Sequence, residues 1–321
     1  MPKTNVKVVI PADHPPQLQG SPHLSRLKEY AEVELYSDRP LSDEEKVRRA
    51  RDAEVLLNSR GNVRWPADVL KQLPKLKMIT TCGIGTDAFD LEYCQQRGII
   101  VCNIPGATAG IVAEHSLALM LAVARQAWFQ TNELKAGRWT VRPNLYLRGR
   151  TIGLVGAGSI AVEKARLARA IGMHAIAWTF HPTELRAREM GVHFVSLEEL
   201  LKTSDVVSVH VKLTEQSRGL IGKKEIAMMK PNAILVNTAR GAVVDYQALA
   251  DAINEGRIAG AGVDVYEVEP IDDNHPLLSC SQVVLTPHNA DDTVEGRDLL
   301  NQGAVDNVIA YLEGRPRNRV V

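Results

Sequence analysis

Three residues whose types suit one reaction stand after short apolar segments in the second half of the chain. Arg240 follows AILVNTA, Glu269 lies beyond GAGVDV, and His288 comes after VVLT. Arginine can hold a carboxylate through paired hydrogen bonds, and histidine exchanges a proton near neutral pH. A glutamate beside that histidine would orient its ring and stabilise its charged form. Each residue alone is ordinary, but together they fit the interconversion of a 2-hydroxy acid and a 2-keto acid by hydride transfer.

A glycine-rich turn predicts the hydride carrier. The segment TIGLVGAGSIAVEK has the pattern G-x-G-x-x-A at Gly156, Gly158 and Ala161, between a predicted strand and a predicted helix. This spacing is typical of a turn that lets a dinucleotide pyrophosphate approach the backbone. A helix that begins near Ser159 would direct its free N–H groups and its positive dipole end at the phosphates.

The segment expected to bind the adenosine ribose lacks the usual carboxylate. A dinucleotide site carries an acidic residue about 20 positions after the turn. Here the second strand ends at Trp178, and Thr179 takes that place. Threonine can bond a ribose hydroxyl and does not repel a 2′-phosphate. Because His181, Arg186 and Arg188 follow, NADP remains possible, although we favour NAD.

The composition indicates a small-molecule partner. The chain has 321 residues, enough for two domains, and its 38 basic residues balance 38 acidic ones. It therefore lacks the positive field that attracts nucleic acid or anionic lipid, so we expect neither a nucleic-acid nor a membrane partner. The four cysteines have no C-x-x-C spacing and no histidine pattern beside them that would bind zinc, which predicts reduced thiols and no metal. The apolar stretch before Pro11 is too short for a signal peptide, so a cytoplasmic protein is expected.

Strand-like and helix-like segments alternate along the chain, which is typical of a parallel α/β structure. The predicted strands are VKVVI, EVLLNS, KLKMITTCG, GIIVCN, TIGLVG, HAIAW, VHFV, DVVSVH, AILVNT, GAGVDV and VVLT. A long apolar helix is predicted within residues 105–126. The polar and aromatic segment 126–150 is either an arm that packs on a second subunit or a loop that covers its own subunit.

Four motifs in this order, LVGAGSIA, LVNTARGAVVD, GVDVYEVEP and LTPH, resemble the D-isomer-specific 2-hydroxyacid dehydrogenases. That family includes D-3-phosphoglycerate, glyoxylate and D-lactate enzymes. The segment GIGTDAFDLEYCQQRGIIVCNIPG is similar to the signature of the family's first domain. The resemblance covers nearly the whole chain and implies an NAD(P)-dependent enzyme that acts mainly as a 2-keto acid reductase.

The resemblance also implies the architecture, an α/β fold of two Rossmann-like doubly wound domains. The substrate domain would be flavodoxin-like and discontinuous, formed by residues 1–103 and by a C-terminal helix within 290–321. An NAD(P)-binding Rossmann domain, residues 104–289, would be inserted into it. A homodimer is expected, as for most members of the family.

The same resemblance implies the roles of the site residues. Arg240 would bind the substrate, Glu269 would be the carboxylate partner, and His288 the acid–base residue. The backbone of Cys82, Gly83 and Ile84 would bind the substrate carboxylate. The residues expected to bind the cofactor are Gly156, Gly158, Ser159, Ile160, Thr179, His210, Thr238, Ala239 and Asp264.

Some positions depart from the family's pattern. Asn58 stands where several relatives have a substrate-contacting arginine, and Lys212 stands where many have proline. The arginines at 60, 64 and 142 are candidates to hold a substrate phosphate, but the sequence does not identify the substrate.

The polar residues behind His288 also depart from the pattern. Asn289, Asp291 and Asp292 replace small or apolar residues, and either face the substrate or begin the last helix. Because Asp292 is followed by Glu295 three positions later, we favour a helix cap at Asp292.

Other functions share this fold. A co-repressor branch of the family works as a partner-binding scaffold, and the presence of Arg240, Glu269 and His288 argues against that role. Formate-oxidising relatives typically carry glutamine in place of the glutamate, so Glu269 argues against them. A phosphite-oxidising enzyme remains an alternative.

Overall fold

The structure is a computed structural model that describes residues 3–59 and 63–321. The strands in these ranges are β1 (Lys7–Ile10), β2 (Glu32–Leu35), β3 (Val55–Asn58), β4 (Met78–Thr81), β5 (Ile100–Cys102), β6 (Thr151–Val155), β7 (His174–Trp178), β8 (His193–Phe194), β9 (Val206–Val209), β10 (Ile234–Asn237), β11 (Gly260–Val263) and β12 (Val283–Leu285). The α-helices are α1 (Pro22–Tyr30), α2 (Asp43–Ala50), α3 (Ala67–Leu70), α4 (Leu91–Arg97), α5 (Ala109–Arg125), α6 (Ala127–Lys135), α7 (Ser159–Ala170), α8 (Glu184–Met190), α9 (Leu197–Thr203), α10 (Lys223–Ala227), α11 (Tyr246–Asn254) and α12 (Val294–Leu312).

The chain divides into two compact units. The first comprises residues 1–108 and 292–321, and the second comprises residues 109–291. Both boundaries lie a few residues beyond those expected from the sequence. The expected roles of the two units, in binding substrate and cofactor, stay predictions.

The first unit contains a five-stranded parallel sheet in the order β2-β1-β3-β4-β5. Val55 and Leu57 of β3 pack on one face with α1 and with Val305 of α12. Leu56, between them, packs on the other face with Leu70 of α3 and with α4. Because both faces are covered, the strands are apolar at successive positions. The strand order 2-1-3-4-5 is that of flavodoxin-like folds.

The second unit contains a seven-stranded parallel sheet in the order β12-β11-β10-β9-β6-β7-β8. Leu154 and Val236 face α5 and α7, whereas Val207 and Leu235 face α9 to α11 on the opposite side. The order reverses between β6 and β9, and in such sheets ligands bind beyond the carboxyl ends of the strands at that reversal. The predicted α/β class with two doubly wound sheets is confirmed.

The start of the last helix differs from the prediction. Thr293, and not Asp292, is the N-cap residue of α12, because its Oγ1 accepts the backbone N–H of Gly296 at 2.9 Å. Asp292 instead pairs with Arg297, with 3.0 Å between Oδ2 and Nη2. Its carboxylate still lies before the first turn of the helix, where the dipole favours negative charge.

The predicted long apolar helix is α5, which buries Val112, Leu119, Met120 and Val123. It is followed by α6, none of whose residues is buried. After α6, within residues 136–150, large apolar side chains are exposed to solvent, and Trp139 is 86% exposed. Within the described ranges, no helix combines the length and the apolar composition needed to cross a bilayer.

Candidate active site

The glycine-rich turn follows β6, at the point where the strand order of the second unit reverses. Gly156 has a φ of 121°, a conformation that residues with a Cβ rarely adopt. A Cβ at this position would lie 2.6 Å from the carbonyl oxygen of His210. The loops after β6 and β9 therefore approach each other at backbone distance, and only glycine permits this contact.

The second glycine leaves room for a ligand. Gly158 is the N-cap residue of α7 and makes no side-chain cap, and a Cβ built on it would meet no atom within 4 Å. The first N–H groups of a helix have no partner inside the helix, and here they belong to Ser159 and Ile160. Open space before a positive helix end fits the pyrophosphate of a dinucleotide.

The end of β7 offers no carboxylate to a ribose, because Thr179 directly follows the strand. Arg186 of α8 reaches back to this region. Its Nη2 donates to the carbonyl oxygen of Ala157 in the glycine-rich turn, and its Nη1 to that of His181, both at 3.0 Å. A guanidinium is therefore fixed beside the place where this fold binds the adenosine ribose.

Two further residues of the expected cofactor site follow β9 and β10. His210 Nε2 lies 2.9 Å from the hydroxyl of Ser208, and burial lowers the pKa of His210 to about 3. The ring is therefore neutral at physiological pH. The hydroxyl of Thr238 is buried and has no hydrogen-bond partner among the described residues. Since an unpaired buried hydroxyl is costly, a polar group of a bound dinucleotide fits here.

His288 and Glu269 are joined by a hydrogen bond of 2.6 Å between Nδ1 and Oε2. The other oxygen of Glu269 accepts the backbone N–H of Tyr266 at 3.0 Å. With Nδ1–H donated to a carboxylate, Nε2 is the nitrogen that exchanges protons with a substrate. The His288 side chain is 43% exposed, and its φ of 52° lies in the left-handed region. Non-glycine residues in that region are uncommon and often functional.

The pKa of His288 is raised above its ordinary value. Desolvation disfavours the charged ring, but the hydrogen bond to Glu269 and the charge of that carboxylate outweigh it. The positive charge of Arg240 opposes the increase, so the arginine lies within electrostatic range of the histidine. The raised pKa extends the proton-donating form of His288 to higher pH than in an ordinary histidine.

Asp264 holds the turn that carries His288. Its wholly buried carboxylate accepts the Thr286 hydroxyl at 2.6 Å and the backbone N–H groups of Asn289 and Ala290 at 3.0 and 3.1 Å. These contacts fix the backbone on both sides of the histidine. The expected contact of Asp264 with the nicotinamide carboxamide stays a prediction.

Arg240 follows β10 in a loop that Asn237 braces. The Asn237 side chain donates to the carbonyl oxygen of Arg240 and accepts the N–H of Ala239, both at 3.0 Å. A Cβ on Gly241 would lie 2.1 Å from the backbone carbon of Tyr266. The loop with the arginine and the loop with the glutamate are therefore in backbone contact, which brings the two side chains to one end of the sheet.

Known proteins resemble the chain over most of its length. The family model for the D-isomer specific 2-hydroxyacid dehydrogenase, NAD binding domain, matches residues 117–290. A glyoxylate reductase of Korarchaeum cryptofilum is 38% identical over 305 residues, which cover 92% of each chain. The chain belongs to the D-isomer specific 2-hydroxyacid dehydrogenase family.

Two further similarities agree with this assignment. A D-3-phosphoglycerate dehydrogenase of Methanocaldococcus jannaschii is 38% identical over 298 residues, 92% of this chain and 56% of that protein. A solved structure from Thermus thermophilus has a TM-score of 0.88 and 37% identity, and the match covers 99% of this chain and 100% of that one. The dehydrogenase is thus an NAD(P)-dependent oxidoreductase that acts on CH–OH groups, as the sequence predicted.

The residues expected to bind the substrate carboxylate lie in the first unit of the dehydrogenase, after β4. Cys82 is buried, whereas Ile84 is 37% exposed. The carbonyl oxygen of Gly83 accepts the N–H of Ile104 at 2.9 Å, and that of Ile84 accepts the Asn103 side chain at 2.8 Å. A Cβ on Gly83 would meet no atom within 4 Å. The turn is thus anchored through its carbonyl groups and has open space at its glycine.

The other positions considered for substrate contact differ in setting. Asn58 is 1% exposed and accepts the indole N–H of Trp65 at 3.2 Å, so it is a packed residue of β3. Arg64 is exposed, and the guanidinium of Arg142 stacks 3.7 Å from the ring centre of a phenylalanine. Arg60 lies outside the described residues.

Sequence reasoning did not identify Tyr266 or Thr286, whose contacts stabilise the site, and it gave His115 no catalytic role. The hydroxyl of Tyr266 donates to the Thr286 carbonyl oxygen at 2.9 Å, and His115 Nε2 lies 3.0 Å from the Thr286 hydroxyl. Tyr266 and Thr286 closely follow strands, so the strand-end rule would have found them. Nothing near His115 in sequence identifies its role, since Thr286 is 171 positions away.

Proposed function

We propose that this dehydrogenase reduces small 2-keto acids, with His288 as the proton donor. The hydrogen bond of 2.6 Å between His288 and Glu269 carries the proposal. When bound, the cofactor supplies the hydride for carbon 2 of the substrate. His288 donates a proton from Nε2 to the carbonyl oxygen, and Glu269 stabilises the imidazolium before the transfer. In the oxidising direction the same nitrogen takes the hydroxyl proton.

In this proposal Arg240 orients the substrate. Its planar guanidinium can hold a carboxylate oxygen and the carbonyl oxygen together, and its charge stabilises the oxygen on which negative charge develops. Its electrostatic effect on His288 supports a position near the reacting groups. The N–H groups of Cys82, Gly83 and Ile84 stay the expected carboxylate ligands of the first unit.

The substrate class that we propose is short 2-keto acids such as glyoxylate and hydroxypyruvate. The relative named glyoxylate reductase matches over 92% of its own length, against 56% for the phosphoglycerate relative. Arg142 is stacked on an aromatic ring, and Arg64 is an exposed side chain, so neither supports a fixed phosphate site.

A panel of acids assayed with NADH and with NADPH tests the substrate class. The panel contains glyoxylate, hydroxypyruvate, pyruvate, phosphohydroxypyruvate, bulky aliphatic keto acids and, in the oxidising direction, phosphite. We expect the highest kcat/KM for glyoxylate or hydroxypyruvate. Turnover of phosphite alone would favour a phosphite dehydrogenase. Tight NADH binding without turnover of any acid would favour a co-repressor-like scaffold.

We further propose that the cofactor site accepts NADPH as well as NADH. Thr179 does not repel a 2′-phosphate, and the Arg186 guanidinium is anchored beside it by two carbonyl oxygens. Arg186→Ala should therefore raise the KM for NADPH about tenfold more than the KM for NADH, the effect of losing one charge-assisted hydrogen bond. Equal changes in the two KM values would contradict this assignment.

The partner that we propose besides the substrate is a second copy of the chain. Leu134, Trp139, Val141 and Tyr146 are 56%, 86%, 81% and 68% exposed, all within one segment of the second unit. Large apolar side chains concentrated in this way are typical of interfaces. Residence in the cytoplasm, which we expect from the sequence, also stays a proposal.

A further inference from the structure

Lys164 carries a buried amino group that the proposed reaction does not use. Helix α7 turns this lysine toward the sheet together with Ala161, Ala165 and Ala168. The lysine is 0% exposed, and its Nζ has no hydrogen-bond partner among the described residues. An unpaired buried ammonium is costly, and an alanine-rich helix face offers nothing that offsets the cost.

Lys164 lies in the second turn of α7, the helix that begins at the glycine-rich turn. Helical side chains slant toward the N-terminus of their helix, which for α7 is Gly158. Burial is the larger cause of the low pKa of His210, and the charge of Lys164 lowers it further, so the two groups are within electrostatic range. The carbonyl oxygen of the same histidine is the atom that approaches Gly156. The lysine therefore lies within electrostatic range of the histidine whose backbone approaches the turn.

Among the described residues, no carboxylate acts on the pKa of Lys164. His210 is a titratable group within its electrostatic range, and the hydroxyl that lies 2.9 Å from His210 Nε2, that of Ser208, is neutral. Glu163 on the same helix pairs with a surface arginine. Within the described ranges, no charged side chain of α5, α8 or β7, which pack against α7, acts on the pKa of Lys164. Burial alone lowers that pKa to about 7, so a nearby anion would draw a proton onto the lysine.

We propose that Lys164 is a positioning residue for the dinucleotide: its ammonium stabilises the pyrophosphate from beneath the glycine-rich turn, and cofactor binding is coupled to protonation of this lysine. The inference rests on the proposed dinucleotide site, in which the N–H groups of α7 touch the phosphates and Lys164 adds a full charge behind them. An increase of about one pKa unit on binding corresponds to about tenfold in affinity between the two protonation states.

Proton uptake on binding tests the proposal. The full chain is titrated calorimetrically near neutral pH in two buffers that differ in ionisation enthalpy, with NADH and with ADP-ribose as ligands. ADP-ribose has the pyrophosphate and lacks the nicotinamide, so uptake with it does not arise at His288. We expect the wild-type protein to take up a fraction of a proton with both ligands. Lys164→Met should take up none and bind both about tenfold more weakly at a pH of about 6, where the wild-type lysine is charged.

Arg166→Met is the matched control, because it removes an equal charge from the exposed side of the same helix, where solvent and salt screen it. Its proton uptake and its affinity should equal those of the wild-type protein. Binding without proton uptake in the wild-type protein, or equal uptake in Lys164→Met, would overturn the proposal and leave the dinucleotide site intact. Failure of NADH, NADPH and ADP-ribose to bind at all would overturn the proposed site itself. If Lys164→Met does not fold, the wild-type uptake of protons with ADP-ribose still decides.

Discussion

The hydrogen bond between His288 and Glu269 controls the pH range of the proposed reduction. Desolvation lowers the pKa of His288, but the glutamate outweighs it and the net shift is upward. Reduction needs the protonated ring, so kcat/KM stays high below the raised pKa and falls above it. Glu269→Gln keeps a hydrogen-bonding side chain and removes the charge. We therefore expect kcat/KM of this variant to begin to fall at a lower pH than in the wild-type protein. The measurement is the pH profile of kcat/KM for keto acid reduction.

Glu267→Gln is the matched control for this prediction. It removes an equal charge from the same loop, and Glu267 contacts His275 rather than His288. Its pH profile should be that of the wild-type protein. If Glu269→Gln also keeps the wild-type profile, Glu269 does not govern the titration of His288.

Among single residues, the sequence singled out Arg240, Glu269 and His288, because few side-chain types suit carboxylate binding and proton transfer, and their roles stay predictions. It did not reveal how Asp264 fixes the histidine turn. Two of the bonds of that carboxylate go to backbone N–H groups, at Asn289 and Ala290, which any sequence provides. The burial of Asn58 against Trp65 was also not evident from the sequence, since it depends on packing across the fold.

The loops after β10 and β11 carry Arg240 and Glu269, and their backbone contact keeps both residues at the same end of the sheet. Because a Cβ on Gly241 would lie 2.1 Å from backbone, no side-chain movement can relieve the clash. We expect Gly241→Ala to lower the free energy of unfolding by at least about 2 kcal/mol and to reduce kcat/KM strongly. Denaturant unfolding and steady-state kinetics measure the two effects.

Gly110→Ala is the control for this change, because a Cβ at that position in α5 meets no atom within 4 Å. Its effect on stability should be neutral or slightly favourable, since alanine is the better helix former. Wild-type stability and kinetics in Gly241→Ala would show that the two loops do not need their close contact.

Helix α7 gives a prediction about stability in the absence of cofactor. Burial depresses the pKa of Lys164 to about 7 in the folded protein, whereas the unfolded chain keeps an ordinary lysine. Between these two pKa values the unfolded state binds a proton that the folded state does not, so wild-type stability rises with pH. Lys164→Met should be more stable than the wild-type protein at neutral pH, and its advantage should shrink by up to about 1.4 kcal/mol per pH unit above that. The measurement is the unfolding free energy of both proteins between neutral pH and the pKa of an ordinary lysine. A difference between the two proteins that does not change with pH would contradict the prediction.

The sequence predicted the helices and strands well where apolar runs and capping residues indicate the same bounds. The start of α12 was misplaced because Asp292 and Thr293 are both good capping residues. The choice depends on Arg297, which pairs with Asp292 and leaves the cap to Thr293. The local sequence pattern does not show which of two good capping residues caps the helix when one of them pairs with an arginine.

For the whole molecule, strand and helix alternation indicated a parallel α/β class, and the family resemblance implied two doubly wound sheets. The apolar strands follow from helices on both faces of each sheet. The role of residues 126–150 was not determined from sequence, since an exposed arm and a covering loop have the same composition.

We predict that the protein is a dimer in solution. Sedimentation equilibrium should give twice the chain mass of 35.3 kDa. Changing Trp139 and Val141 together to serine should weaken the dimer, because both side chains lose apolar area that an interface would bury. Val294→Ser, which changes an 83% exposed residue of the other unit, should have no effect. A monomer at all concentrations, or a dimer that the double change leaves intact, would contradict the proposed interface.

Turnover by His288→Ala tests the proposed proton transfer most directly. The rate of NADH oxidation with the best keto acid is measured beside the Kd for NADH, and His193→Ala, an exposed histidine of β8, serves as the control. We predict that His288→Ala lowers kcat by about 10² to 10⁴ and leaves NADH binding unchanged, whereas His193→Ala retains wild-type turnover. Wild-type turnover in His288→Ala would contradict the assignment of His288 as the proton donor.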